Sequence, residues 1–350
     1  MGENINYYDG STLLKKKTLS GDLPEIFISQ TLRTYGKTTW FNHLVMDHWH
    51  ESDKRVPFGL LFRYKYELEG VAMRFQESVR ELYYPGLEMT QTPIMQGSIM
   101  ELFANDELCG YAFCLSGFEA VKKCSNMLSS IREYIFDEFQ NEDGKYIKNE
   151  VNKFISIHTS IARAPGKPVR YVPVYMLANK VSLFNPYYTA MGITGRFQKR
   201  TKYLRGDGYV MESLSNVDLS QRMQNSGFNK AFASEDYMRY ITDVDFLNEG
   251  EADDILKLAG EKRYFCNLSD GSKLCYGVYR SGPLTYISAK GNPTSKQNIG
   301  LSKRAHFQLG SGVINRTEFL RFLREQYNEG SLFFQNDKVK TNVINCLTES

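Results

Sequence analysis

Four features that the sequence lacks limit the class of protein it can be. None of the six cysteines forms a C-x-x-C pair, which argues against a zinc site and, at this length, against a disulfide framework. No apolar run approaches the roughly 18 residues of a transmembrane helix, and the first residues lack the apolar core of a signal peptide. A net charge of +3 is too small to attract nucleic acid over the whole surface. We therefore expect a globular protein with no membrane partner, whose affinity for nucleic acid comes from local clusters.

The chain is long enough for two domains, and its first half alternates predicted strands with predicted helices. At 350 residues, it exceeds what one hydrophobic core usually organises. Buried strands are predicted at 25–30, 132–136 and 169–178, and helices at 39–51, 117–129 and 150–162. This alternation predicts an α/β sheet whose functional residues lie at the carboxyl ends of its strands.

The second half of the chain has a different character. The polar, glycine-containing stretch at 208–230 has little periodicity, so we predict a linker there between a first domain at 1–207 and a second at 231–350. Short β-rich runs at 264–288 alternate with turns, which is the pattern of an antiparallel meander. A helix is predicted at 317–327. The second domain is therefore predicted to contain both strands and helices.

A short motif follows the first predicted strand. Gly36-Lys37-Thr38 matches the end of the phosphate-loop pattern G-x-x-x-x-G-K-[ST], but Thr31 stands where the pattern has its first glycine. The bare tripeptide occurs by chance in about one chain in five of this length. Lys37 is harder to explain as a structural residue, because a lysine is unfavourable at the positive end of a helix unless an anion binds there.

The motif predicts a cofactor-binding set that includes Gly36. Lys37 would bind phosphate, and Thr38 would ligate Mg²⁺. Thr39 would contact the α-phosphate, or it is an ordinary residue of the first helical turn. Arg33 would neutralise phosphate charge, or it is a solvated loop residue. ATP and Mg²⁺ are therefore the candidate ligands.

The ends of two further predicted strands carry the other candidates. Asp137 and Glu138 follow the apolar stretch 134–136, where a phosphate-loop enzyme needs an aspartate to hold the metal ion and a glutamate to accept a proton from the attacking water. They lie about a hundred residues after the loop, on a second buried strand, which favours the pairing. Asn179 at the third strand end would reach the γ-phosphate or position the water; as an alternative, it caps the next turn.

Several short stretches are shared with a known family. They are RYKYEL at 63–68, IFDEF at 135–139, NEV at 149–151, LAN at 177–179 and NPYY at 185–188. Together with the GKT turn, they resemble the DNA-packaging (encapsidation) ATPases of small tailed bacteriophages that replicate by protein priming, over roughly residues 25–190. The resemblance implies an α/β phosphate-loop NTPase domain of the additional-strand, catalytic-glutamate type. It also implies a small α+β ribonuclease H-like domain that has lost its nuclease site.

The resemblance implies roles for particular residues. Asp137 and Glu138 match the metal-holding and catalytic pair of the family. Arg163 matches an arginine that is offered in trans to the nucleotide of a neighbouring subunit, and Lys65 matches a basic residue near the phosphates. These residues extend the predicted site beyond the loop and the strand ends.

The family's assembly and partners follow from the same resemblance. Its members form a ring, a pentamer by resemblance, on the portal vertex of the procapsid in the host bacterial cytoplasm, and drive double-stranded DNA inward. Lys122 or Lys123 matches an intersubunit lysine, and the choice between them stays open, as does the use of a structural packaging RNA. Thr31 and Thr34 stand where the family has loop glycines, so the backbone geometry of the loop is in question.

The second domain is predicted to bind nucleic acid without cleaving it. A two-metal nuclease needs carboxylates on central strands, and the β-rich runs here carry none. Lysine and arginine side chains on this domain favour nucleic-acid binding: Lys290, Lys296, Lys303 and Arg304. The leading hypothesis is an ATP-driven DNA translocase that packages a viral genome. The alternatives are a phosphate-loop helicase and a nucleic-acid-binding protein that uses no nucleotide.

Overall fold

The computed structural model describes most of the chain as two compact units. The residues described are 7–54, 56–142, 144–163, 169–182, 185–194, 196–197, 201–214, 217–231, 263–269, 275–302, 305–306, 315–328, 331–335 and 337–347. Residues 1–180 and 202–244 form the first unit, and 181–201 and 245–350 form the second. Within the described ranges, no helix has the length and apolar character needed to cross a membrane.

The first unit is built around a nine-stranded sheet. Its strands are β1 (Ile26–Thr31), β2 (Phe58–Phe62), β3 (Met89–Ile94), β4 (Ile99–Ala104), β5 (Glu107–Cys114), β6 (Tyr134–Phe136), β7 (Val174–Asn179), β8 (Tyr203–Arg205) and β9 (Tyr209–Ser213). The helices up to β8 are α1 (Ser11–Leu14), α2 (Lys37–Glu51), α3 (Val71–Arg80), α4 (Phe118–Lys123), α5 (Ser125–Leu128), α6 (Glu150–Ile161) and α7 (Pro186–Ala190), of which α7 belongs to the second unit. After β9 come α8 (Val217–Asn225) and α9 (Gly227–Ala231).

Six neighbouring strands of this sheet are parallel. The strand order is β3-β4-β5-β2-β6-β7-β1-β9-β8, and the six strands from β5 to β9 in that order run parallel. β7 lies between β1 and β6, with Thr31 opposite Asn179 and Phe136 opposite Met176. The carboxyl ends of these three strands therefore meet at one edge of the sheet, where α/β proteins place their ligands.

The core of the first unit lies between the sheet and helices α2 and α3. Apolar residues recur along α2 at helical spacing, and Phe41, Val45 and Trp49 are buried. On α3, Phe75 is buried and stacks on Phe58 of β2 with ring centroids 5.2 Å apart. The helix that begins at the loop is thus fixed against the sheet along its whole length.

The strand and helix predictions for the first half are confirmed, with two differences. β1, β6 and α6 lie within two residues of their predicted bounds. β7 begins at Val174 rather than at residue 169, since Pro173 has no N–H to donate to the sheet. The predicted helix at 117–129 is instead the two helices α4 and α5, which are interrupted at Cys124. The mixed α/β class is confirmed.

The predicted linker at 208–230 is wrong at its start. Residues Tyr209–Ser213 form β9, which is buried and pairs in parallel with β1. Glu212 in this strand is fully buried, where its carboxylate accepts hydrogen bonds from the Tyr8 and Ser29 hydroxyls. A glutamate inside a short segment with glycine-rich and polar flanks interrupts the apolar pattern of a buried strand. The sequence therefore did not predict this strand of the main sheet. The helices α8 and α9 follow it.

The second unit has a five-stranded sheet of its own. Its elements are β10 (Arg263–Ser269), β11 (Cys275–Ser281), β12 (Leu284–Ser288), β13 (Asn298–Gly300), α10 (Arg316–Asn328), β14 (Leu332–Phe334) and α11 (Asp337–Leu347). β10, β11 and β12 form the predicted antiparallel meander, and α10 confirms the predicted helix. β13 and β14 pair in parallel with β10 and β12. These five strands contain no aspartate or glutamate.

Candidate functional site

The loop between β1 and α2 tolerates a threonine at the position of its first expected glycine. Thr31 is still part of β1 and pairs with Asn179 of β7, so its backbone is extended and needs no glycine. Gly36 has φ +92°, in the left-handed region that favours glycine, and directly precedes α2. Thr34 has φ +61°, which is unusual for a β-branched residue and marks local backbone strain. The loop's tight turns therefore fall at Thr34 and Gly36.

Lys37 begins α2 and points toward the end of β7. Its Nζ donates a hydrogen bond to Asn179 Oδ1 at 2.8 Å, and only 8% of the residue is exposed. Burial lowers the pKa of Lys37, and the negative charges of Asp137 and Glu138 oppose that shift. An ammonium group that is nearly buried at a helix N-terminus is well placed to bind an anion.

Thr38 contacts the aspartate at the end of β6. Its Oγ1 donates to Asp137 Oδ2 at 2.9 Å, and the other carboxylate oxygen of Asp137 accepts from the backbone N–H of Glu138, also at 2.9 Å. A hydroxyl and a carboxylate that meet in this way offer the hard oxygen ligands that Mg²⁺ prefers, so the donor set fits this ion. We call Lys37, Thr38, Asp137 and Asn179 the phosphate-loop site.

Glu138 follows Asp137 in a strained conformation. Its φ is +51°, in the left-handed region, which for a residue other than glycine costs of the order of 1–3 kcal/mol and is found most often at functional sites. Its side chain is exposed. Partial desolvation and the adjacent charge of Asp137 raise the pKa of Glu138, while the charge of Arg33 opposes this shift. A carboxylate of raised pKa is suited to accept a proton from water.

Arg63 holds the backbone of Glu138 and Phe139, a contact that sequence reasoning missed. Its guanidinium is buried just after β2 and donates to the carbonyl of Glu138 at 3.2 Å and to that of Phe139 at 2.6 Å. The same guanidinium pairs with the buried carboxylate of Glu150 in the first turn of α6, at 3.1 Å to both oxygens. Arg63 and Glu150 each lie in a stretch shared with the family, RYKYEL and NEV, but nothing in the sequence shows that the two stretches meet.

The remaining predicted residues lie outside these contacts. The Arg33 guanidinium forms an ion pair with Glu142, after β6. The Lys65 ammonium donates to the carbonyl of Gln96, on a turn between β3 and β4. Arg163 is exposed just beyond the end of α6. Thus Lys65 contacts a backbone carbonyl on that turn, and its place near the phosphates stays a prediction.

Three further predicted residues lie on helices. Thr39 is half-buried in the first turn of α2, next to the phosphate-loop site. Lys122 and Lys123 are both exposed on α4, so exposure does not decide between them.

A cavity of about 490 Å³ reaches Thr38, Asp137 and Glu138, and its remaining wall is largely apolar. The strand ends therefore open onto a cavity of the size that small-molecule sites have.

The chain belongs to the family of Podovirus DNA encapsidation proteins (Gp16), which it matches over residues 6–348. It is 23% identical over 288 residues to the DNA packaging protein of Bacillus phage B103, an alignment that covers 80% of this chain and 83% of that protein. Genome packaging is therefore its function, and neither the helicase nor the nucleotide-independent alternative is favoured.

Two solved structures share the fold. A chain of the bacteriophage Phi-29 viral genome packaging motor assembly matches with a TM-score of 0.53 and 18% identity, over 97% of this chain and 99% of that chain. The Phi-28 gp11 DNA packaging motor also matches with a TM-score of 0.53, at 14% identity, over 98% of this chain and 96% of that chain. At these identities the likeness extends to the fold alone.

Proposed function

We propose that this chain hydrolyses ATP at the phosphate-loop site and uses the free energy to move double-stranded viral DNA into a preformed procapsid. One observation carries the proposal: the two residues that begin α2 contact the ends of two neighbouring strands, Lys37 with Asn179 and Thr38 with Asp137. The placement of β7 between β1 and β6 supports the proposed additional-strand, catalytic-glutamate type of phosphate-loop domain.

Each residue has a distinct task in this mechanism. Lys37 binds the terminal phosphates, and Asn179 holds the ammonium and contacts the γ-phosphate or the attacking water. Thr38 and Asp137 would hold Mg²⁺, which when bound neutralises phosphate charge. Glu138 accepts a proton from the attacking water, and its backbone is held in place by Arg63.

The assembled protein is proposed to be a ring on the portal vertex. Arg163 is exposed just past the end of α6 and would reach the nucleotide of the neighbouring subunit. Arg33 contributes positive charge beside the loop, and Thr39 contacts the α-phosphate. Lys65 and one of the lysines of α4 complete the basic groups of the site. A pentameric ring and a packaging RNA are the family's arrangement and are carried here as proposals, as is a location in the host cytoplasm.

The second unit is proposed to be a ribonuclease H-like domain that binds nucleic acid and does not cleave it. Two observations support this: its five strands have no acidic residue, and Lys290 and Lys296 are exposed on it. Lys303 and Arg304 lie outside the described residues. The boundary between the two domains stays a proposal. The helices α8 and α9, which follow β9, belong to the first unit.

The central test is ATP hydrolysis and DNA packaging by a Lys37→Ala protein, measured with procapsids and duplex DNA. Loss of the Lys37 ammonium should abolish both activities, whereas Lys54→Ala, which removes an exposed lysine paired with Glu107, should leave both unchanged. Equal hydrolysis by Lys37→Ala and wild type would refute the assignment. Strand separation on a forked duplex by the wild type would instead support the helicase alternative.

The second unit is tested with the full-length protein. Incubation with supercoiled plasmid in Mn²⁺ or Mg²⁺ should produce no nicks, and metal-dependent nicking by a clean preparation would overturn the non-cleaving assignment. Replacement of both Lys290 and Lys296 by alanine should weaken binding to duplex DNA. It should also reduce the slope of log affinity against log salt by up to about 0.9 for each DNA phosphate that the replaced lysines neutralise in the wild type.

A further inference from the structure

Aromatic side chains line a cleft beside the phosphate loop. The cleft has a volume of about 330 Å³, and its floor is the segment Gly36–Thr39 with the start of α2. Five aromatic residues form its walls: Tyr7, Tyr8, Tyr35, Trp40 and Tyr83. We call this the tyrosine cleft. Lys37 is the one ionisable side chain other than tyrosine among the described residues that line it, so its walls suit a neutral, flat group.

One wall of the tyrosine cleft is fixed to the sheet. The backbone N–H of Tyr8 donates to the carbonyl of Tyr35 at 3.0 Å, and the Tyr8 ring packs edge-on against Tyr35 and Trp40, with centroids 5.8 Å apart in each case. The Tyr8 hydroxyl bonds to the buried carboxylate of Glu212. Because Tyr8 is buried and bonded at both its backbone and its side chain, it gives the cleft a rigid side.

The rim of the tyrosine cleft exposes two further rings. Tyr7 is 59% exposed and lies against the loop: a Cβ atom at Gly36 would come within 3.6 Å of its ring. Tyr83, just past α3, is 37% exposed and stacks on His43 of α2 with centroids 3.7 Å apart and planes 11° apart. These two exposed aromatic rings beside the phosphate loop are available to stack on a flat ligand.

We propose that the tyrosine cleft binds the purine base of the nucleotide, in stacking contact with Tyr83; this inference rests on the proposed ATPase function. Three observations point to this ligand. The cleft continues from Lys37 and Thr38, so a nucleotide whose phosphates lie at the phosphate-loop site can extend its base into the cleft. Its volume is at the lower end of the range for small-molecule sites. Its aromatic walls offer stacking, and a purine presents a larger π-face than a pyrimidine.

The experiment measures equilibrium binding of three probes to the full-length protein with Mg²⁺: ATP, CTP and inorganic tripolyphosphate. Wild type should bind ATP most tightly. Tyr83→Ala should weaken ATP about tenfold, the usual scale of one base–aromatic stack, and leave tripolyphosphate unchanged. Tyr83→Phe keeps the ring and should restore ATP binding. Tyr171→Ala removes an exposed tyrosine that does not line the cleft and should change none of the three affinities.

Two results would overturn the inference. One is unchanged ATP affinity in Tyr83→Ala. The other is an equal loss of affinity for ATP and for tripolyphosphate, which would show that the substitution disturbs the phosphate loop rather than a contact with the base. Lys37→Ala separates this failure from that of the proposed function. If Lys37→Ala loses tripolyphosphate while Tyr83→Ala keeps full ATP affinity, the phosphate-loop site stands and the cleft assignment falls. If Lys37→Ala binds all three probes as wild type does, the proposed function itself fails.

Discussion

A single chain brings together the side chains of the phosphate-loop site, but it does not bring Lys65 and Arg163 to that site. The four side chains of the site already form two hydrogen-bonded pairs at the carboxyl edge of β1, β6 and β7, Lys37 with Asn179 and Thr38 with Asp137. Lys65 instead contacts a turn carbonyl, and Arg163 is exposed beyond α6. The groups proposed to hold phosphate and metal are thus preorganised within the chain. The groups proposed to complete the charge stabilisation are not, which is what an enzyme requires if it hydrolyses ATP only when assembled.

Arg63 links the two regions through α6. It holds the carbonyls of Glu138 and Phe139 and is paired with Glu150 at the start of α6. Arg163 lies just beyond the other end of the same helix. Arg63 therefore connects the first turn of α6 directly to the backbone of Glu138.

The strongest way to break the comparison is to remove Arg163. Arg163→Ala should fold and bind ATP as wild type does but lose most ring ATPase activity, since an arginine finger contributes on the order of 10³ or more to the rate. Steady-state hydrolysis in the presence of procapsids and DNA is the measurement. Mixing this variant with Glu138→Gln should restore part of the activity, because a subunit with an intact Glu138 then receives Arg163 from its neighbour. No recovery in mixed rings, with assembly checked by sedimentation, would contradict action in trans.

Cutting the link between the regions should destabilise the first unit. Glu150→Ala leaves the buried Arg63 without its partner, and breaking a buried ion pair in this way costs about 3–5 kcal/mol. A thermal melt should show a clearly lower transition temperature. Glu107→Ala is the matched control, because it breaks the exposed pair with Lys54, which is worth about 0–1 kcal/mol. Similar melting of the two variants would show that the Arg63 contact is not structural support for Glu138.

The pH dependence of folding stability tests the buried carboxyl of Glu212 in the sheet that carries the phosphate-loop site. Burial raises the pKa of Glu212 to about 7 from an ordinary value of 4.5. A carboxyl with a raised folded-state pKa favours folding below the unfolded pKa, and this contribution is lost as pH rises through about 7. Glu212→Gln, which is neutral throughout, should match wild type near pH 4 and exceed it at pH 8.5 by up to about 3 kcal/mol. Thermal melts at both pH values test this, and an equal offset at both would contradict it.

The sequence predicted the residues whose chemistry depends on local spacing. Lys37 and Asp137 follow buried strands, and parallel strands necessarily bring their carboxyl ends together. It did not predict β9, because the buried Glu212 is satisfied by hydroxyls from distant residues. It also missed the Arg63 contact with Glu150, since two residues 87 positions apart meet only through the fold.

The sequence also did not predict β3 and β5, because each contains a residue that is unfavourable in a strand. β3 contains Pro93 and two exposed threonines, Thr90 and Thr92, which is typical of an edge strand and weak as a sequence signal. β5 contains Gly110, where a Cβ atom would lie 2.8 Å from the carbonyl of Phe58, so close packing of two parallel strands requires a residue that reads as a strand breaker. Position at the sheet edge thus explains the composition of β3, and close packing against β2 explains the glycine of β5.

The most direct test of the proposed mechanism is ATP binding and ATP hydrolysis by Glu138→Gln. The amide keeps the shape of the side chain but cannot accept a proton from water, so the variant should bind ATP with Mg²⁺ as tightly as wild type. It should hydrolyse ATP about 10² to 10⁴ times more slowly. The measurement pairs equilibrium ATP binding with the steady-state rate on procapsids and DNA. Tight binding with nearly no turnover would support Glu138 as the general base, and tight binding with near-normal turnover would contradict it.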